Sequence, residues 1–166
     1  MNKNILILIL AMGIFNNLFA QKNTVKFKLY NNTEKKYAIE YPENWQVKIN
    51  NEGVVSIESD DIKGGIYISL YNGITFSDEH METFILESNN LPDNFRENVL
   101  SGTENGIKSW YVSYTDSENN LTCMSMYKRK GDKLWFVSTE IEPELWNNGW
   151  KDIIVKILIS FKINAT

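Results

Sequence analysis

Much of this chain reads as short runs in which side chains of opposite character alternate one by one, each run ending at an asparagine- or glycine-rich break. Trp110, Val112 and Tyr114 alternate with Tyr111 and Ser113, and Leu121, Cys123, Ser125 and Tyr127 alternate with Thr122, Met124 and Met126. A period of two places one set of side chains on one face of an extended strand. A lone strand leaves its backbone donors and acceptors unpaired, so runs of this kind must assemble into a sheet. The connections are short. Residues 116–120 close a hairpin, Asn105-Gly106 is a tight-turn pair, and residues 129–132 make a further turn.

The same reading extends upstream. Val25, Phe27 and Leu29 face one way from Lys26 and Lys28, predicting a half-buried first strand. Tyr37 to Glu40 forms a short second strand ended by Pro42, and residues 45–49 and 54–59 form two more. Residues 66–71 and 134–141 carry apolar side chains on both faces, as strands covered above and below do. Two stretches switch to helical spacing. Ser77 is an N-cap candidate, followed by Met81, Phe84, Ile85 and Ser88 on one face, ending near Asn89-Asn90. After Pro143, residues Trp146, Trp150, Ile153, Ile154, Ile157, Leu158 and Phe161 predict one amphipathic helix of about 15 residues. The expected fold is α+β: a central antiparallel sheet of about six to eight strands flanked by helices.

The first residues obey a different rule. Lys3 precedes an almost unbroken apolar run at 5–14, and Leu18-Phe19-Ala20-Gln21 follows. This is the layout of a secretory signal, too short for a membrane span of about 20 residues. Residues 1–20 are therefore expected to be a signal peptide and 21–166 a single domain, exported to the periplasm or outside a bacterium. Without Lys3 the domain keeps 16 basic and 21 acidic residues, a net charge of −5. One Cys and one His exclude a disulfide framework and the usual zinc site.

Several motifs, taken in order, resemble the PsbP-like and Mog1-like domains. Tyr41-Pro42-Glu43-Asn44-Trp45 looks like the "YP-x-x-W" opening, and Gly106 through Tyr114 resembles the central hairpin. The stretch from Tyr127 to Phe136, with Gly131-Asp132-Lys133-Leu134 inside it, is similar to the next hairpin. Trp150 to Ser160-Phe161-Lys162 resembles the closing helix and its "SF" ending. The likeness spans about residues 37–163. It implies an α/β/α sandwich and a mostly non-enzymatic family, in which some members associate with photosystems and others bind small nuclear GTPases. A signal peptide departs from both the plant lumenal and the nuclear pattern, so the resemblance carries the fold and assigns no binding residue.

Chemistry is sparse. His80 stands beside Asp78 and Glu79 at the start of the middle helix and reads as a surface histidine, while Ser77 reads as a cap. Cys123 reads as a buried structural thiol, since no positive charge flanks it. Gly64-Gly65 lacks the lysine and hydroxyl residue of a phosphate loop. Lys128-Arg129-Lys130 forms a basic hairpin tip on an acidic domain, a poor match for nucleic acid. No catalytic residue, metal or cofactor is expected. The 19 aromatic residues of the domain point instead to a binding face, with the Tyr67 and Tyr71 stripe and the Tyr111 and Ser113 stripe as candidates. The functional expectation is a non-catalytic exported domain that binds a protein or small ligand. The alternatives are a structural subunit of an envelope complex and a hydrolase using His80, Asp78 or Glu79.

Overall fold

The computed structural model describes residues 25–164; the expected signal segment lies outside the described residues. Among the described residues ten strands form two antiparallel sheets. Strands β1 (Phe27–Asn32), β2 (Tyr37–Pro42) and β10 (Lys162–Ile163) make a small sheet in the order β1-β2-β10. Strands β3 (Gln46–Ile49), β4 (Val55–Glu58), β5 (Gly64–Tyr71), β6 (Leu100–Glu104), β7 (Ile107–Asp116), β8 (Leu121–Lys130) and β9 (Lys133–Ile141) make the large one. Its order is β3-β4-β5-β9-β8-β7-β6. The seven strands of the central sheet agree with the sequence. The separate small sheet is new, because alternation identifies strands and not their partners.

Residues directly paired across antiparallel strands share a face, so the registers sort the large sheet into two sides. One side carries Val55, Ile57, Ile66, Ile68, Met126, Trp135 and Val137, all buried. Against it lie Tyr37, Ile39 and Tyr41 of β2 and Ile154, Ile157 and Leu158 of helix α2 (Lys151–Ser160). The other side carries Trp110, Val112, Tyr127 and Leu134 under Met81 and Ile85 of helix α1 (Met81–Ser88). Two apolar layers thus sandwich the sheet. Each fully buried Ile or Leu contributes roughly 1.5–3 kcal/mol of transfer free energy.

Three expectations need correction. In β1 the expected face holds only in part: Phe27 packs on the core as expected, but Leu29 pairs with Glu40 and is exposed, whereas Tyr30 pairs with buried Ile39 and turns inward. The hairpin register decides this, and the local alternation does not. The C-terminal helix is broken. A short helical turn (Pro143–Leu145) and a wide turn (Trp146–Trp150) precede α2, and within the wide turn Gly149 has φ +99°. That left-handed residue bends the chain, and Trp150 stacks on Trp45 at 5.7 Å. Finally, the Ser77 hydroxyl accepts no cap bond from the backbone. Ser77 precedes a 3-10 turn (Asp78–His80), and its Oγ lies 2.9 Å from His80 Nδ1.

Candidate functional site

Lys108 on β7 and Arg129 on β8 are register partners, so both side chains rise from the same face. They stand at the end of the sheet where two tight turns project. Asn105 and Gly106 both have positive φ, +51° and +75°, as a two-residue hairpin turn requires. Gly131, at φ +63°, turns β8 into β9. The segment following β5 crosses above them and brings in Asp78. Ser77, Asp78, Gly106, Lys108, Arg129 and Gly131 together line a cleft of about 380 Å³.

Its electrostatics are simple. Arg129 Nη1 donates to the Phe76 carbonyl at 2.7 Å and to Asp78 Oδ1 at 3.2 Å. Its Nε donates to the Gly131 carbonyl at 3.1 Å, and its guanidinium lies over the Phe76 ring. At 16% side-chain exposure Arg129 is a fixed wall. Lys108 is 40% exposed, and its Nζ reaches Asp78 Oδ2 at 3.3 Å. Two cations therefore share one carboxylate, one cation rigid and one free to turn to solvent. A hydrolase built on His80 would need a group to orient the imidazole. Asp78, two residues before it, has both oxygens engaged by Lys108 and Arg129, and the group that meets His80 Nδ1 is the Ser77 hydroxyl.

The basic run does not act as one tip. Lys128 points to the opposite side of the sheet and donates to the Phe161 carbonyl at 2.9 Å, where burial lowers its ammonium pKa. The pleat thus divides neighbours that the sequence presents as a cluster.

The two tyrosine stripes are also divided. Tyr67 and Tyr71 lie on the cleft side, while Tyr111 and Ser113 lie on the reverse. Tyr71 shares a row with Leu134, Arg129 and Lys108 across adjacent strands. That puts it about 10 Å from Arg129, two strand spacings away. Its ring meets Phe84 edge-on at 6.2 Å. Tyr67 is half-buried farther along, and burial, with Glu140 and Glu58 nearby, pushes its phenol up to about 12. Ser113 donates to the Cys123 carbonyl at 3.2 Å. The cleft itself escaped the sequence, because its six residues come from three separate stretches of chain. The one local signal was the turn glycines.

Cys123 is buried beside Tyr114, as expected. Burial, reinforced by Glu140, pushes its thiol up to about 11 from an ordinary value of 9.0. The folded state therefore favours the protonated thiol. That contribution, on the order of 2 kcal/mol, is whole below pH 9.0 and is lost as pH rises toward 11. Urea midpoints should fall across that window, and less so in Cys123→Ser. Thiol labelling at neutral pH should proceed only as fast as global unfolding; rapid native labelling would contradict this.

Two cores, one sheet between them and helices on both outer layers define the PsbP/Mog1-like α+β fold. Among solved structures the chain is similar to cyanobacterial PsbP from Synechocystis sp. PCC 6803. Identity is 14%, coverage 87% of this chain and 96% of that one, and the TM-score 0.65. It is similar to a Bacteroides thetaiotaomicron protein at 13% identity and TM-score 0.56, covering 83% of this chain and 48% of the other. It is also similar to the yeast Ran-binding protein Mog1p at 8% identity, with 84% and 96% coverage and a TM-score of 0.53. No family model matches the chain, and no curated protein matches it in sequence. At these identities the likeness is one of fold.

Proposed function

We propose that this chain is an exported, non-catalytic accessory domain that binds a protein partner through a carboxylate of that partner. The carrying observation is the pairing of Lys108 and Arg129 around the single carboxylate of Asp78. Asp78 occupies the place that an acidic side chain of the partner takes in the complex. Arg129 presents a fixed donor set, and Lys108 swings to meet the incoming oxygen. Tyr71, in the same row, offers an amphipathic ring at the edge of the contact. The yeast relative of this fold is named for binding the protein Ran, which fits a protein partner in kind. Export rests on the grammar of residues 1–20. No helix among the described residues is long and apolar enough to cross a membrane.

The test is a calorimetric titration with an N-acetylated tetraglutamate peptide. Asp78→Asn frees both cations and should bind about tenfold more tightly than the unaltered chain, while Lys108→Ala should bind about tenfold more weakly. Failure of both the unaltered chain and Asp78→Asn to bind refutes the reading. So does binding of Asp78→Asn that survives loss of Lys108.

A further inference from the structure

Two open sheets end in four edges, and three of them are blunted. Strand β3 has four residues and carries Lys48, β1 carries Lys28, and β10 has only two residues. Short length and lysine are the ordinary protections against pairing with another chain. Strand β6 is one residue longer than β3 and carries no lysine; its one charge, Glu104, sits at the turn end. Its sequence is Leu-Ser-Gly-Thr-Glu, and all five residues are exposed. Leu100 is 67% exposed, and Tyr111, its partner on β7, lies beside it.

The turn fixes which backbone groups of β6 are free. Glu104 and Ile107 flank the two-residue turn and form its closing hydrogen-bonded pair. Antiparallel pairs alternate between bonded and non-bonded. Gly102 and Leu100 therefore bond to β7, whereas Ser101 and Thr103 turn their N–H and C=O groups outward.

The geometry points to a second copy of this chain as the occupant of the β6 edge, joined across a two-fold axis at Gly102. In that antiparallel register Ser101 faces Thr103 of the second copy, and Thr103 faces its Ser101. Each pair exchanges two bonds, so all the outward groups of Ser101 and Thr103 on both chains are satisfied. Gly102 meets its own copy in a non-bonded pair, the closest kind, with Cα atoms about 4.5 Å apart. A side chain added at Gly102 has open space around it within one chain. Glu104 faces Leu100 of the second copy, so no like charges oppose. The two large sheets then run on as one.

The register is tested by cysteine crosslinking. Gly102→Cys places two thiols within disulfide reach across the axis and should crosslink under mild oxidation. Ser101→Cys places them roughly 8 Å apart, one residue pair out of register, and should not. Cys123 is buried and supplies no competing thiol. Light scattering should give twice the chain mass for the unaltered protein. Thr103→Pro removes an outward N–H without touching a β6–β7 bond. It should weaken the dimer about tenfold or more while leaving the melting curve of the monomer in place. A monomer at every concentration, or equal crosslinking at 101 and 102, overturns the proposal.

Discussion

Replacing Gly64 by alanine should cost about 3 to 5 kcal/mol of stability, from backbone strain and overpacking together. In a domain of this size that lowers the melting temperature by roughly 10 °C. Gly64 opens β5 at φ +113°, a conformation L side chains rarely adopt, and a Cβ there would lie 2.7 Å from the Glu140 carbonyl carbon. Neither partner can give, because Glu140 and Ile141 are held in the β5–β9 ladder. Gly73→Ala is the matched control. It too has positive φ, +72°, yet nothing lies within 4 Å of the added carbon. It should cost only the conformational part, about 1 kcal/mol. Urea denaturation of the two variants separates the terms, and equal losses would show that the close approach to β9 is immaterial.

The Gly64 example also shows what the sequence can express. The Gly64-Gly65 pair was legible as something other than a phosphate loop, but its reason lies in β9, about 75 positions away. Strand β7 was legible nearly residue by residue, because it buries one face and largely alternates; β8 alternates over its first half and then buries Met126 and Tyr127 on opposite faces. β1 was not. Its side chains alternate, but its inward face was chosen by its pairing with β2. The last helix carried a sound apolar stripe. The stripe ran across Asn148-Gly149, where the backbone leaves helical geometry. Periodicity counts residues and does not register one that turns left-handed.

The site was less legible than the fold for a related reason. Tyr67, Tyr71, Tyr111 and Ser113 were chosen as stripes within strands, and the registers set the two stripes on opposite sides of the sheet. Lys108 and Asp78 are 30 positions apart and carry no mutual signal in the chain. Arg129 was visible only as the middle of a basic run, whereas its role comes from the backbone carbonyls of residues 76 and 131. Pairings of that kind belong to topology.

Asn89→Ala is the other substitution expected to act strongly, at about 3 kcal/mol for the loss of several partly buried hydrogen bonds. Asn89 caps α1, and its side chain ties the helix to the sheet. Its Nδ2 donates to Tyr127 Oη and to the Ile85 carbonyl, both at 2.7 Å. Its Oδ1 accepts from Tyr114 Oη at 2.9 Å and from Ser125 Oγ at 3.2 Å. Tyr127 keeps Ser88 as a second partner at 2.9 Å. Tyr114 and Ser125 lose the partner that Asn89 provided, so much of the cost is the desolvation of hydroxyls left behind. That makes a specific demand on a double-mutant cycle. Tyr114→Phe alone should destabilise by about 1 kcal/mol, but added to Asn89→Ala it should cost nothing or restore some stability, because it removes an orphaned hydroxyl. Simple additivity of the two losses would mean that Asn89 acts only as a helix cap and that its bonds to the sheet contribute nothing to holding α1 in place.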